Sequence, residues 1–219
     1  MTSHRIAAAL LFVAASLVCA AEPISIVEVR TLARVDPAVR ASHEFSLHAY
    51  TFRGTRWGSE EIASGIAAAA QLLGQCGVAL AVAELRVIEA PRDFHYYDTA
   101  TSRRLLQAID VPRPAVFFVE DTRNVPAFDA EAVGLANSRS RPELANTVWI
   151  AHGARDVPQA LAHELVHVLS DNGTHSHEAG NLMQDETSPR NNRLTAGQCE
   201  LMRSRGEANR LLRRRAVAG

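Results

Sequence analysis

The residues best suited to chemistry in this chain are His163, Glu164 and His167, which form the pattern His-Glu-Leu-Val-His. In a helix, side chains four residues apart lie on one face, so both imidazoles can reach a single metal ion. Glu164 lies about 100° around the helix from His163, where its carboxylate can take a proton from a water molecule without binding the ion. This spacing predicts a zinc centre that activates water, with Glu164 as general base.

The alternative interpretation is a surface helix that carries two solvated histidines. In a chain of this composition the pattern is expected by chance only about 0.02 times. The sequence also predicts a well-marked helix that begins after Asp156, with Gln159 completing a capping box, and continues to Ser170. The histidines lie away from its apolar stripe. Both observations favour the metal site.

A catalytic zinc site usually has a third protein ligand. There are three candidates for it in the chain that follows His167. His175 follows a turn that would fold the chain back toward the helix, and His177 is the competing ligand two residues later. Glu186 has a spacing that some enzymes with this motif use, but its neighbours are poor helix formers. His175 is therefore the preferred third ligand.

These histidines, followed by Asn181-Leu182-Met183, resemble the metzincin clan of zinc metalloproteases. The clan pattern is HExxHxxGxxH followed by a methionine turn. The stretch His175-Ser176, six residues before Asn181-Leu182-Met183, is similar to the segment that closes the site in matrixin-like members. The resemblance implies a zinc endopeptidase in which His163, His167 and His175 bind Zn²⁺. It also implies that Met183 packs beneath the metal.

The chain departs from the clan pattern between the second and third histidines. Ser170 stands where the pattern has its glycine, and the third histidine of the pattern would fall on Gly173. A two-residue insertion restores the alignment and predicts left-handed backbone at Asn172, a residue type that tolerates it.

The elements that must position this site alternate between strands and helices. Helices are predicted at Ser59–Gly74, at 99–109, after Asp156, and at 194–215, where Thr195 starts the closing helix; strands are predicted at 43–53, 78–88, 115–120, 132–137 and Thr147–Ala151. This order predicts an α+β fold of α/β type, in which a mixed twisted sheet carries the zinc helix, the methionine turn and a C-terminal helix. By the resemblance, the edge strand 132–137 would align a peptide substrate by strand pairing.

Residues 1–21 have the basic, apolar and small-residue order of a signal peptide. We therefore expect a secreted or periplasmic protein with a short leader at 22–43 and a peptidase domain at 44–219. In an oxidising compartment, Cys76 and Cys199 are expected to form a disulfide.

The composition excludes several other functions. A net charge of −1 and 5% aromatic residues argue against binding of nucleic acid, and the absence of lysine removes Schiff-base chemistry. The sequence contains no second long apolar run, so we predict no membrane span. We expect a monomer. Two alternatives to a peptidase stay open: a zinc hydrolase of another amide, such as a cell-wall peptide link, and a non-catalytic zinc-binding interaction module.

Overall fold

The structure, a computed structural model, describes residues 23–34, 40–123, 132–135 and 141–215. Its helices are α1 (Ser59–Gly74), α2 (Thr99–Ala108), α3 (Val157–Ser170) and α4 (Ala196–Ala208), with short 3-10 helices at Arg92–His95 and Pro142–Leu144. Its strands are β1 (Ser25–Arg34), β2 (His43–Phe52), β3 (Val78–Glu89), β4 (Tyr96–Tyr97), β5 (Ala115–Val119), β6 (Asp121–Thr122), β7 (Ala132–Leu135), β8 (Thr147–Ala151) and β9 (Arg213–Arg214).

The main sheet is mixed and has the strand order β1-β3-β2-β5-β8-β7, with β9 pairing to β2. The inner strands β3, β2, β5 and β8 are parallel, whereas β1 and β7 run antiparallel at the two edges. Strands β5 and β8 are buried on both faces, as expected for parallel strands with continuous apolar sequences. The mixed sheet with helices packed on it confirms the predicted fold class.

Helices cover both faces of the sheet and divide the core into two layers. Helices α1, α3 and α4 share one core with the side chains on one face of the sheet, including Val116 and Ile150. Helix α2 packs on the other face, where Phe117 stacks on Trp149 with ring centroids 4.1 Å apart. Because α3 is buried in the first layer, the sheet and two helices fix the position of its histidines.

One predicted helix cap needs correction, whereas the predicted helix starts are confirmed. Helix α1 has the predicted bounds. The capping box predicted at Asp156 is absent, because the Asp156 side chain makes no capping hydrogen bond. The capping box occurs instead on α4, where Thr195 and Gln198 exchange hydrogen bonds of 3.2 and 2.8 Å.

The segment 22–43 was predicted to be a leader, and that prediction is wrong for its described part. Residues Ser25–Arg34 form β1, which pairs along its length with β3 at the edge of the sheet. Val29 is 56% exposed. Because this strand does not bury one face, its apolar and polar residues do not alternate in the way that would predict a strand. The folded domain therefore includes β1.

The closing helix predicted at 194–215 is shorter than expected. Helix α4 ends at Ala208, and Arg210 adopts a positive φ of 60° that turns the chain back. The backbone N–H of Leu212 then donates to the Gly206 carbonyl at 2.9 Å, and its side chain is buried over that glycine. A Cβ at Gly206 would lie only 2.6 Å from the Leu212 side chain, so glycine permits this return. Residues Arg213–Arg214 then pair with β2.

The predicted disulfide between Cys76 and Cys199 is confirmed. It joins the chain just after α1 to helix α4, and both of these helices pack against α3. Among the described residues, no helix is both long and apolar enough to cross a membrane. The predicted signal peptide at 1–21 lies outside the described residues.

Candidate metal centre

Helix α3 brings His163 and His167 to the interior of the protein. It packs between α1 and α4, and only 3% of His163 and 8% of His167 is exposed. These values exclude the alternative interpretation of a helix with two solvated histidines. The two imidazoles share one face of α3, as their spacing of four residues predicts.

The ring nitrogens of His163, His167 and His175 converge on one point. The Nε2 atom of His167 lies 2.9 Å from Nε2 of His163 and 3.2 Å from Nε2 of His175. Each candidate ligand atom is within 4.8 Å of the other two. In the described part of the chain, this is the one group of three or more His, Cys, Asp or Glu side chains close enough to hold a metal ion.

The outer nitrogen of each ring is held by an oxygen. The Nδ1 atom of His163 lies 2.8 Å from the Leu182 carbonyl oxygen, and that of His167 lies 2.6 Å from the Asn172 carbonyl oxygen. The Nδ1 atom of His175 lies 2.5 Å from a carboxylate oxygen of Asp185. Because these oxygens are acceptors, they assign the ring proton to Nδ1 in each case.

This tautomer leaves three bare Nε2 lone pairs facing one another, an arrangement that a shared cation stabilises. Burial lowers the pKa of His163 to about 4 and lowers that of His167 below its usual range, so both rings are neutral at pH 7. Neutral imidazole is the form that binds metals. The residues present therefore fit a metal ion.

His177 and Glu186, the other candidate ligands, are exposed and lie outside the histidine cluster. The turn that brings His175 back differs in one detail from the prediction. The left-handed residue is Asp171, with φ 48°, and not Asn172. Asp171 caps the C-terminus of α3 one residue earlier, so the Asn172 carbonyl is free to accept the hydrogen bond from His167.

Glu164 faces the short edge strand β7. Its side chain is partly buried against Gly134, whose backbone N–H hydrogen-bonds to the carboxylate. A Cβ at Gly134 would overlap Oε2 of Glu164 and lie 3.2 Å from its Cδ, so only glycine leaves room for the carboxylate. The pKa of Glu164 is raised to about 7, because the effect of burial outweighs the opposite effect of the Gly134 hydrogen bond. A carboxylate of this pKa is suited to proton transfer near neutral pH.

The chain after His175 is joined to a turn that contains Met183. The Ser176 N–H donates to the Met183 carbonyl at 2.7 Å, and the Gln184 N–H closes the turn onto the Asn181 carbonyl at 3.2 Å. The Asn181 side chain pairs with Gln198 of α4, at 3.1 and 3.2 Å. Met183 itself is buried in the core beside α3. These bonds tie the loop that carries His175 to the Met183 turn, and that turn to helix α4.

Two features of the site were not predicted from the sequence. The contact of Asp185 with His175 joins two loops, and no helical or strand periodicity signals it. The close approach of Gly134 to Glu164 depends on the packing of β7 against α3. A single glycine within the predicted edge strand was the one available sign of a close backbone approach.

Comparison with known proteins relates this chain to metalloproteinases at the level of the fold. No family model matches the chain, and no curated protein matches it. Among solved structures, it is similar to the crystal structure of metalloproteinase-II from Bacteroides fragilis, with a TM-score of 0.56 and 16% sequence identity. The match covers 80% of this chain and 56% of that protein, so this chain spans about half the length of its structural relative. The chain therefore has a metalloproteinase-like fold and a cluster of three histidines that could hold a metal ion.

Proposed function

We propose that this chain is a zinc endopeptidase of the metzincin type. In this proposal His163, His167 and His175 hold one Zn²⁺, and Glu164 is the general base. The observation that carries the proposal is the convergence of three imidazoles through Nε2, each held at Nδ1 by an oxygen acceptor. Three imidazole ligands with an open fourth position are typical of catalytic zinc.

The bound zinc would supply Lewis acidity, which polarises a water molecule and the carbonyl of the bond to be cleaved. Glu164 takes a proton from the attacking water and delivers it to the nitrogen of the leaving amine. The partly buried carboxylate is held at Gly134 by a backbone hydrogen bond, so its orientation is set before substrate arrives. Glu164 is not needed for metal binding alone, which argues against a non-catalytic zinc-binding module.

The substrate is proposed to be an extended peptide. Strand β7 pairs with β8 through one edge, and no strand in the described residues pairs with its other edge. Gly134 on this strand contacts Glu164, so a peptide that pairs with β7 would pass beside the general base. A short, half-buried edge strand next to a proton acceptor suits the binding of a peptide backbone.

We also propose that the protein is exported, with residues 1–21 as its signal peptide. The Cys76–Cys199 disulfide supports this proposal, because such bonds persist in oxidising compartments. The peptidase domain of this proposal would include β1, which pairs with β3 in the main sheet.

The test compares the purified protein with its Glu164→Gln variant for zinc content and for cleavage of a mixed peptide library. The expected result is one zinc per chain in both proteins and cleavage by the wild type alone. Retained cleavage in the variant would contradict the role of Glu164. Zinc binding with hydrolysis of peptidoglycan but of no peptide would move the assignment to a cell-wall amide hydrolase.

A further inference from the structure

The third histidine of the cluster is held differently from the other two. His163 and His167 lie on a buried helix, and their Nδ1 atoms contact backbone carbonyls that no substitution removes. His175 lies on a loop with 38% of its side chain exposed, and its Nδ1 contacts the side chain of Asp185. Its orientation therefore depends on a group that mutation can change.

The fold builds the contact between His175 and Asp185 by bracing two loop segments. The hydrogen bond from the Ser176 N–H to the Met183 carbonyl holds the two segments side by side at 2.7 Å. Asp185 lies two residues beyond Met183, and His175 one residue before Ser176. The brace thus brings the carboxylate to 2.5 Å from Nδ1 of His175.

We propose that Asp185 is the positioning residue for the third metal ligand. The inference rests on the proposed metal site. By accepting the hydrogen bond from Nδ1–H, the Asp185 carboxylate fixes the tautomer of His175 and turns its Nε2 toward the other two imidazoles. Its negative charge also stabilises an imidazole bound to a divalent cation. Loss of such an outer partner lowers metal affinity by about 10- to 100-fold.

A purely structural role for Asp185 predicts a different outcome. Its side chain is 69% exposed, and exposed contacts of this kind contribute little to the stability of a fold. Removal of the carboxylate should therefore leave the urea midpoint of the metal-free protein unchanged. Zinc affinity should fall, because it alone depends on where Nε2 of His175 points.

Glu186 provides a matched control. It is the adjacent acidic residue, it is exposed like Asp185, and it lies outside the histidine cluster. Loss of its charge changes the field near the site by a similar amount without altering the contact with His175. A general electrostatic effect would therefore appear in both variants, and a positioning effect only at Asp185.

The experiment measures the zinc dissociation constant by competition with a chromophoric chelator for the wild type, Asp185→Ala, Asp185→Asn and Glu186→Ala. We expect Asp185→Ala to bind zinc about 10- to 100-fold more weakly than the wild type, with Glu186→Ala unchanged. Asp185→Asn should lie between the wild type and Asp185→Ala, because its amide oxygen still accepts from Nδ1–H without the charge. If Asp185→Ala does not fold, the Asn variant carries the test.

Three results would overturn the inference alone: wild-type affinity in both Asp185 variants, an equal loss in Glu186→Ala, or a large shift in the urea midpoint of the metal-free Asp185 variants. A wild-type protein that binds no zinc would instead overturn the proposed function, on which the inference rests. The urea midpoints of the metal-free variants complete the test, because a large shift at Asp185 would make its role structural.

Discussion

Breaking the Cys76–Cys199 disulfide should lower the free energy of unfolding by about 5 kcal/mol. The bond joins residues that are 123 positions apart, so it restricts a large part of the unfolded chain. The chain-entropy relation for a loop of this length gives about 4.9 kcal/mol at 25 °C. In a domain of this size that loss corresponds to a fall in Tm of about 10–20 °C.

The assay is urea denaturation of the oxidised wild type and of the double variant Cys76→Ala with Cys199→Ala. Both cysteines are buried, with 2% and 7% exposed, so the double variant also loses packing of the sulfur atoms. Chemically reduced wild type keeps the sulfurs and isolates the effect of the bond. All samples contain a chelator, because bound metal would stabilise the folded state by mass action.

Two measurements together test the entropic reasoning. The urea midpoint should fall on reduction, and the m-value should rise because the unfolded chain without its cross-link exposes more surface. An unchanged midpoint in the reduced protein would refute the calculation. A loss seen only in the double variant would assign the effect to packing instead.

Further predictions concern Glu164 and its surroundings. Gly134→Ala should displace the Glu164 carboxylate and abolish peptide cleavage while zinc content is kept, whereas Gly153→Ala, whose new methyl meets open space, should keep both. In the metal-free protein, the pKa of Glu164 is raised to about 7, so protonation of its carboxyl raises the free energy of unfolding as pH falls from 7 toward 4.5. The pKa of His163 is lowered to about 4, so this residue lowers the free energy of unfolding as pH falls below 6.5, where the unfolded chain binds the proton first. Between pH 7 and pH 5 the unfolding free energy of Glu164→Gln should therefore fall by about 2 kcal/mol more than that of the wild type, and parallel urea profiles would contradict this.

The helix that carries the site could be predicted from sequence because its signals are local. The spacing of His163 and His167 fixes a shared face on any helix. The burial of that face was not predicted, because the apolar stripe lies on another side of α3, whereas the folded protein buries the helix on almost every side. Strands β5 and β8 were also predicted, since parallel strands buried on both faces are continuous apolar runs. In each case the neighbours along the chain contain the information.

The features that were missed depend on partners distant in sequence. Strand β1 is held by backbone pairing with β3 and leaves apolar residues such as Val29 exposed, so its pattern differs little from that of a loop. The end of α4 depends on Leu212 folding back over Gly206, a contact that only the tertiary structure creates. The Asp185 contact with His175 is of the same kind, because a brace between two loops forms it.

The measurement that tests the central claim most directly is anomalous diffraction at the zinc edge from crystals of the zinc-loaded protein. The account predicts one peak, within bonding distance of Nε2 of His163, His167 and His175. A matched pair of variants supports it in solution: His175→Ala should lose bound zinc, and His177→Ala should keep it. A peak elsewhere, no peak, or zinc loss only in His177→Ala would contradict the account.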